Sequence, residues 1–332
     1  MIKQIKKRDG GVVDFDKAKI TNAIFKAARA AGGKDKETAE RLASLVVEIL
    51  EKNLPKGVVP TVEEVQDMVE KVLIEEGHAK TAKGYILYRQ QRAVIRKEKA
   101  AVLEKEEIDD VDKRFDVNAL RVLKSRYLRK DETGKLVETP KQLFTRIAVH
   151  VTLPELFYDQ SVWAKERQPS HAEEPFEPAK NGGLFSIGKY KLNQYHLEAL
   201  KRLYDRHNKN GNMKVDLGEF LKLLKSGHFN KYEQLADKFF DLMAYRKFLP
   251  NTPAIANFGA MLGMGSACFV LGIDDSMDSI MKTLTDAAFI FKAGGGVGYN
   301  FSNLRCEGDF VKSTCGVASG PITFITLFDK MT

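Results

Sequence analysis

The pattern of apolar residues changes near Pro253, and this change constrains the fold more than any other feature of the chain. Before it, apolar residues recur at intervals of three and four, as at Ile20, Ile24 and Ala28, which predicts amphipathic helices. After it, short apolar runs separated by glycines flank one helical stretch at about 276–291. A strand–helix–strand order is typical of α/β folds. The sequence therefore predicts a helical chain that ends in an α/β segment.

The first hundred residues predict a helical unit with a short hairpin at its start. The hairpin turns at 7–11, which contains an Asp-Gly pair. Two helices follow, and the first of them ends at Gly32. Thr61 and Glu64 have the spacing of a capping box and begin a third helix. A fourth helix covers about 81–92.

The middle of the chain predicts further helices with loops between them. The charge-rich stretch 96–112 predicts an exposed helix or linker. Helical patterning covers 118–158, with a turn at 131–134, and resumes over 192–248. Prolines and glycines concentrated in 168–183 predict a loop or insertion there.

Length and charge limit the class of protein. A chain of 332 residues is expected to form about two or three domains. Its 53 Lys and Arg residues against 45 Asp and Glu give a net charge of +8, which favours polyanionic partners such as nucleic acid or nucleotide phosphates. A solvated helical surface of mixed charge explains the same balance. The sequence contains neither a long apolar run nor a secretory signal, so we expect a soluble cytoplasmic protein without a membrane partner.

The three cysteines, Cys268, Cys306 and Cys315, all lie near the C-terminal end of the sequence. None belongs to a Cys-x-x-Cys pair, so a structural zinc site lacks its usual ligands and no metal site is predicted. From residue type alone, the default interpretation of each is a buried, inert thiol.

Several motifs near the N-terminus occur in the order found in the ATP-cone, a regulatory adenine-nucleotide domain: Lys-Arg-Asp-Gly at 7–10, Lys-Ile at 19–20, Thr-Val-Glu-Glu-Val-Gln at 61–66 and Tyr-Ile-Leu-Tyr-Arg at 85–89. The sequence resembles that family over nearly all of 1–95. The resemblance implies that Lys7, Arg8 and Lys19 supply cations for a triphosphate and that Thr61 lies near the nucleotide. Ordinary surface cations are the alternative for each lysine taken singly.

The C-terminal third carries a second series: Phe-Leu-Pro-Asn-Thr-Pro at 248–253, Ser-Ala-Cys-Phe-Val-Leu at 266–271, Asp-Asp-Ser-Met-Asp at 274–278 and Gly-Gly-Gly-Val-Gly-Tyr-Asn-Phe at 294–301. The series resembles the front half of the catalytic barrel of ribonucleotide reductases. The stretches 138–148 and 239–249 resemble the helical segments that precede that barrel. The sequence of the glycine run is similar to that of the adenosylcobalamin-dependent class of these enzymes, called class II.

This second resemblance implies roles for five residues of a substrate site. Cys268 matches the reducing cysteine on the first barrel strand, one of two thiols that donate electrons and form a disulfide. Thr252 and Ala267 match substrate-binding positions. At Gly295 and Gly296, the absence of Cβ atoms lets backbone N–H groups approach the substrate's diphosphate. A tight packing turn is the alternative for the glycine run taken alone.

The resemblance also implies an effector specificity site for deoxyribonucleoside triphosphates (dNTPs). Asp275 matches the group that receives the sugar hydroxyl, and Asp275 with Ser276 also suits a helix N-cap, which is compatible with that role. Arg305 and Lys312 flank a segment similar to the first specificity loop and would bind effector phosphates. No role in the family transfers to Cys306 or Cys315.

Together these resemblances imply an α + α/β chain with three parts: an ATP-cone at 1–100, a helical domain at 101–248 with an insertion near 160–192, and the first part of a ten-stranded α/β barrel at 249–332. The implied reaction is radical reduction of ribonucleoside diphosphates, with adenosylcobalamin as cofactor and ATP, dATP and dNTPs as effectors. The implied partners are a homodimer mate and a thioredoxin-like thiol reductant.

We expect activity to require a C-terminal reductase polypeptide or extein, because an open partial barrel exposes unpaired strand edges. A split gene, an intein and a truncated product all fit the sequence. A catalytically inactive, nucleotide-binding regulatory fragment is the main alternative. A basic helical nucleic-acid binder fits less well, because the sequence contains no recognised DNA or RNA module, and no nucleic-acid partner is predicted.

Overall fold

The chain divides between Ser125 and Arg126 into two compact units, which are described separately. The structure is a computed structural model, and it describes residues 2–8, 10–55, 57–165 and 176–332. The first part of the predicted loop at 168–183 therefore lies outside the described residues.

The first unit consists of a hairpin followed by helices, as its sequence predicts. Antiparallel strands β1 (Gln4–Lys6) and β2 (Val12–Asp14) pair with Ile5 opposite Val13. The helices are α1 (Lys17–Ala30), α2 (Lys36–Asn53), α3 (Val62–Glu75), α4 (Ala79–Val102), α5 (Asp110–Arg114) and α6 (Val117–Arg126).

Local signals fix where these helices begin. Asp16 caps α1 by accepting the Ala18 N–H at 2.9 Å. The predicted capping box of α3 is confirmed, because the Thr61 hydroxyl accepts the Glu64 N–H at 3.2 Å and the Glu64 carboxylate accepts the Thr61 N–H at 2.7 Å. The apolar faces of α1 to α4 then form one core, whose most buried members include Ile24, Leu42, Ala43, Val46, Val69 and Leu73.

The prediction that 96–112 is exposed is wrong at Lys99 and Asp112, which are both buried. The Lys99 ammonium donates to the backbone carbonyls of Asp112 at 3.2 Å and Lys113 at 3.1 Å. The Asp112 carboxylate accepts from the Lys105 ammonium at 2.6 Å. Burial nevertheless raises the pKa of Asp112. Hydrogen bonds to Lys99 and to Oδ2 of Asp112 make their burial tolerable, whereas Oδ1 of Asp112 is buried without a partner among the described residues.

The second unit begins with helices around a large apolar core. Its elements up to residue 257 are α7 (Pro140–Leu156), α8 (Pro178–Asn181), β3 (Ser186–Ile187), β4 (Tyr190–Lys191), α9 (Gln194–Lys209), α10 (Leu217–Lys225), a 3₁₀ turn (His228–Tyr232), α11 (Glu233–Ala244) and α12 (Thr252–Asn257). Fully buried rings of Phe157, Phe220 and Phe229 pack together at the centre of this core.

An α/β segment completes the second unit, and it confirms the predicted strand–helix–strand order. Its elements are β5 (Cys268–Gly272), α13 (Met277–Lys292), β6 (Gly296–Asn300), β7 (Phe310–Val311), β8 (Gly316–Val317) and α14 (Pro321–Met331). β5 and β6 are parallel, as a helical crossover requires. Within the described residues this sheet has two strands, so the fold is the α + α/β arrangement expected of the start of a barrel, without closure.

Among the described residues, no helix is both long and apolar enough to cross a membrane. The same residues contain no group of three or more His, Cys, Asp and Glu side chains arranged to hold a metal ion.

Candidate nucleotide and catalytic sites

A basic cavity of about 670 Å³, hereafter the first cavity, lies among α1, α3 and α4. Its lining includes six cationic side chains and, among the described residues, no carboxylate: Arg8, Lys19, Lys26, Arg89, Arg92 and Arg96. The rings of Tyr85 and Tyr88 also line it. The cavity therefore combines positive charge with aromatic surface, as a nucleotide's phosphates and base require.

Helical spacing explains how these cations meet. Lys19 and Lys26 are seven residues apart on α1, two turns along one face. Arg89, Arg92 and Arg96 follow the i, i+3 and i+7 pattern on α4. The hairpin turn contributes Arg8, whose guanidinium donates to the Gln66 amide oxygen at 3.0 Å.

The charges of the first cavity are only partly compensated. Arg89 is fixed by three carboxylates of α3, with contacts of 2.5 Å to Glu63, 2.6 Å to Asp67 and 2.8 Å to Glu70. By contrast, burial lowers the pKa of Arg96, and the nearby positive charge of Arg8 lowers it further. The cavity thus has a positive potential that a polyanion would relieve.

The structure brings together two of the four residues assigned to the ATP-cone site from sequence. Arg8 and Lys19 line the first cavity. Lys7 lines a neighbouring cavity instead, with its ammonium 3.6 Å from the Asp110 carboxylate. Thr61 lies outside the described lining of both cavities and serves as the cap of α3.

Sequence reasoning did not assign Lys26, Arg92 or Arg96 to this site. Their spacing was a usable signal, since cations at helical intervals share a face. That spacing shows which residues are neighbours on α4, but it does not show which face of α4 packs against α1.

The second unit brings four of the predicted substrate-site residues together where β5 and β6 begin. The strand register pairs Cys268 with Gly296. The Ala267 carbonyl accepts the Gly296 N–H at 2.7 Å. A Cβ atom at Gly295 would lie 2.8 Å from Cγ2 of Ile290 and 2.9 Å from Cε2 of Phe269. Packing alone therefore disfavours a side chain at 295.

The thiol of Cys268 is exposed, as are those of Cys306 and Cys315. The default interpretation of a buried thiol is thus wrong for all three. On β5 the side chains alternate, so Cys268 shares a face with Val270, which is 84% exposed. An exposed thiol can react with a substrate or another thiol, which a buried one cannot.

Thr252 begins α12, one residue after its N-cap. The cap residue Asn251 accepts the Ala254 N–H at 3.0 Å and donates its amide to the Gly265 carbonyl at 3.2 Å. The Thr252 hydroxyl lies 3.3 Å from the Tyr127 hydroxyl. The start of α12 is thereby tied to the segment just before Ala267.

A buried polar anchor holds the other end of α12. The Arg146 guanidinium is paired with the Glu138 carboxylate at 2.8 Å, and both side chains are buried. Arg146 also donates to the Ala256 carbonyl at 3.3 Å and to the Phe258 carbonyl. His196 Nε2 donates to the Arg146 carbonyl at 2.9 Å, because its Nδ1 accepts the Asn193 N–H.

A smaller cavity of about 400 Å³ is lined by three of the four predicted specificity residues, Asp275, Ser276 and Arg305. It is called the effector cavity after that prediction. The Arg305 guanidinium donates to the Asp275 carboxylate at 2.7 Å. The Ser276 hydroxyl caps α13 by accepting the Ser279 N–H at 3.2 Å, as predicted. Lys312 lies outside the described lining, although Val311 and Ser313 on either side of it contribute to it.

Comparison with known protein families matches three consecutive parts of the chain. The ATP cone domain matches residues 3–94. The all-alpha domain of ribonucleotide reductase matches 113–263, and its barrel domain matches 266–332. The chain belongs to the ribonucleotide reductase family.

Individual relatives agree with this membership. The vitamin B12-dependent ribonucleoside-diphosphate reductase of Thermoplasma acidophilum is 40% identical over 344 residues, which cover 100% of this chain and 41% of that protein. The enzyme of the same name from Mycobacterium tuberculosis is 32% identical, over 98% of this chain and 36% of its own length. The reductase subunit alpha of Chlamydia pneumoniae is 26% identical, over 96% and 38%.

The chain thus spans about two fifths of the length of these ribonucleotide reductases. The first cavity, apart from Arg96, lies in the part that matches the ATP cone. Cys268, Gly296 and the effector cavity lie in the part that matches the barrel.

Proposed function

We propose that this chain is the N-terminal part of an adenosylcobalamin-dependent ribonucleoside-diphosphate reductase that is controlled by nucleotides at two sites. The observation that carries the proposal is the register of β5 and β6, which sets the exposed thiol of Cys268 opposite Gly296. A reducing thiol and a phosphate-binding glycine turn are the two features that reduction of a nucleoside diphosphate needs side by side.

The chemistry defines the role of Cys268. Replacing a ribose 2′-hydroxyl by hydrogen releases water and takes up two electrons and two protons. Two thiols supply both, and their sulfur atoms join as a disulfide. Cys268 is one of these thiols in the proposal, and the second comes from the part of the longer relatives that this chain does not match.

The proposed substrate contacts come from three segments. Backbone N–H groups at Gly295 and Gly296 approach the diphosphate, since no Cβ atom obstructs them. Thr252 hydrogen-bonds the substrate through its hydroxyl, and Ala267 contributes its backbone. The hydrogen bond from Asn251 to Gly265, 3.2 Å long, supports this grouping because it ties the start of α12 to the segment that leads into β5.

The proposed allosteric control uses two cavities, the first cavity and the effector cavity. ATP or dATP binds in the first cavity, where Arg8 and Lys19 face its phosphates; Lys7 and Thr61 stay proposed nucleotide contacts, although both lie outside the described lining of that cavity. A dNTP binds in the effector cavity, where Asp275 and Ser276 receive the sugar and Arg305 and Lys312 the phosphates. The positive electrostatic potential around Arg96 supports the assignment of ATP or dATP to the first cavity.

Adenosylcobalamin is the proposed cofactor because two of the relatives are named vitamin B12-dependent reductases. It would supply the radical that starts the reaction. We assign none of the chain's described residues to it, and none of the proposed residue roles depends on it.

The remaining partners follow from the same reaction. A C-terminal reductase polypeptide completes the barrel, a second copy forms a homodimer, and a thioredoxin-like dithiol returns the disulfide to thiols. The proposed domains are 1–100, 101–248 and 249–332, and the proposed location is the cytoplasm.

The test is a reductase assay with adenosylcobalamin, dithiothreitol, ATP and a labelled ribonucleoside diphosphate. It is run with and without a polypeptide that matches the C-terminal part of the Thermoplasma relative. Labelled deoxyribonucleotide formed only with the second polypeptide supports the proposal. No product in either mixture refutes it for this chain.

One observation favours a second candidate, a nucleotide-binding regulatory fragment without chemistry. All described residues that line the first cavity fall between Arg8 and Arg96, so binding there does not require the barrel. ATP binding measured by calorimetry, together with no turnover in the completed assay, would favour this candidate over the reductase.

A further inference from the structure

The side chain of Tyr127 reaches the proposed substrate site from a distant part of the second unit. Its hydroxyl lies 3.3 Å from the hydroxyl of Thr252, which is a proposed substrate contact. The two residues are 125 positions apart in the sequence, so the fold alone brings them together. Tyr127 is half-buried and Thr252 is exposed. Tyr127 belongs to none of the sequence motifs that indicate the substrate site.

A buried ion pair fixes the two segments that carry these hydroxyls. The Glu138 carboxylate accepts the backbone N–H of Arg129, two residues after Tyr127, at 3.2 Å. Its partner, the Arg146 guanidinium, donates to the Ala256 carbonyl of α12 at 3.3 Å. Both charged side chains are buried, and charge-assisted hydrogen bonds of this kind are strong. The ion pair therefore holds Tyr127 beside the start of α12 independently of the contact between the hydroxyls.

The direction of the hydrogen bond between the hydroxyls decides what Thr252 can offer a ligand. A hydroxyl has one hydrogen to donate and two lone pairs that accept. If Thr252 donated to Tyr127, its only hydrogen would be used. If Tyr127 donates to Thr252, the Thr252 hydrogen stays available. The ionised oxygens of a diphosphate accept hydrogen bonds and do not donate them, so substrate binding favours the second direction.

The length of the contact is consistent with this arrangement. A separation of 3.3 Å exceeds the usual distance of about 2.8 Å between bonded hydroxyls. Hydrogen bonds of catalytic sites often shorten when the ligand completes them. A chain of donors from Tyr127 through Thr252 to a phosphate would also strengthen each of its bonds, because consecutive hydrogen bonds polarise one another.

We propose that Tyr127 is a positioning residue for substrate binding. Its phenol donates to Thr252 and thereby leaves the Thr252 hydroxyl hydrogen directed at the ribonucleoside diphosphate. Tyr127 acts through Thr252 and does not itself contact the substrate. This inference rests on the substrate site proposed above and adds a residue to it that lies outside the barrel segment.

The test uses the chain completed by the C-terminal polypeptide. Equilibrium dialysis without adenosylcobalamin measures binding of a labelled ribonucleoside diphosphate, and the reductase assay measures KM and kcat. Tyr127→Phe keeps the ring and removes the hydroxyl. It should weaken binding and raise KM by roughly 3- to 10-fold with kcat unchanged, because the lost hydrogen bond is equally strong before and during the reaction.

The matched control is Tyr158→Phe in the same unit. Tyr158 is exposed, and its hydroxyl has no hydrogen-bond partner among the described residues. This variant should leave binding, KM and kcat unchanged. Unchanged binding and KM in Tyr127→Phe as well would overturn the proposal.

A double-mutant cycle shows whether Tyr127 acts through Thr252. In the Thr252→Ala background, Tyr127→Phe should have no further effect on binding, because the hydroxyl that it positions is absent. In the Thr252→Ser background, which keeps a hydroxyl, the 3- to 10-fold effect should persist. An equal loss in the Thr252→Ala background would show that Tyr127 acts independently of Thr252, and it would overturn the proposal.

Failure of this inference is distinguishable from failure of the proposed function. Binding that Tyr127→Phe leaves unchanged, with deoxyribonucleotide still formed, would remove the inference alone. Binding that Tyr127→Phe weakens, without any product from the unsubstituted complex, would support the inference and remove the proposed reduction. No binding by the unsubstituted complex would remove the substrate site and the inference together.

Discussion

Replacement of Gly259 by alanine should destabilise the second unit strongly. Gly259 is buried just after α12 and has φ +67°. A Cβ atom there would lie 2.5 Å from Nε2 of His196 and 2.6 Å from Cγ of Arg146. Both neighbours belong to the buried anchor of α12, so neither can move without breaking a hydrogen bond.

The magnitude has two parts. A left-handed backbone costs an alanine about 1–2 kcal/mol. Overpacking against a fixed core costs about 1–3 kcal/mol more. Together, Gly259→Ala should lower the free energy of unfolding by roughly 2–5 kcal/mol.

Gly263→Ala is the matched control. Gly263 has φ +61°, but a Cβ atom there would meet nothing within 4 Å. It should therefore cost only the backbone part, about 1–2 kcal/mol. Urea unfolding followed by fluorescence of Trp163, the single tryptophan of the chain, reports on the unit that contains both sites. Equal losses in the two variants would refute the argument that the anchor is rigid.

Three further predictions concern charge. Arg92→Gln should weaken ATP binding roughly 10-fold and reduce its salt dependence, as measured by calorimetry, because one charge-assisted contact is lost. His150→Phe should make stability less sensitive to acid. Burial lowers the pKa of His150 in the folded protein to about 4, so between about pH 6.5 and about pH 4 only the unfolded chain takes up that proton. The native protein therefore loses about 1.4 kcal/mol of stability per pH unit as the pH falls through this range. Urea unfolding at several pH values should show this slope shrink by one proton in the variant. Asp275→Asn should change stability by less than about 1 kcal/mol, because its pair with Arg305 is partly exposed, yet should weaken dNTP binding in equilibrium dialysis.

Local signals in the sequence predicted the elements well. The capping box at Thr61 and the helix after Ser276 both form as predicted, because each depends on residues within one turn. The parallel pairing of β5 with β6 was also foreseeable, since a strand–helix–strand order joins parallel strands.

Features that depend on distant partners were not predictable in the same way. Asp112 can be buried because its carboxylate pairs with the ammonium of Lys105, seven residues earlier. The charge density of the segment alone had indicated exposure. The first cavity gathers cations from three separated segments, and only the packing of α1 against α4 brings Lys26 to the same space as Arg92. The spacing of residues along one helix does not predict how two helices pack together.

The exposure of Cys268 is a further case. Residue type alone favours burial for a cysteine. Its position on β5 overrides that preference, because the face it shares with Val270 is uncovered within the described residues. Accessibility does not distinguish Cys268 from Cys306 and Cys315, which are also exposed; its match to the family's reducing cysteine makes it the candidate reductant.

The central claim is that Cys268 is a reducing thiol of a ribonucleotide reductase. The most direct measurement compares the unsubstituted chain with Cys268→Ser in the assay completed by a C-terminal polypeptide, with Cys306→Ser as the matched control for an exposed thiol. The account predicts labelled deoxyribonucleotide from the unsubstituted chain and from Cys306→Ser, and none from Cys268→Ser. Equal product from Cys268→Ser would contradict it.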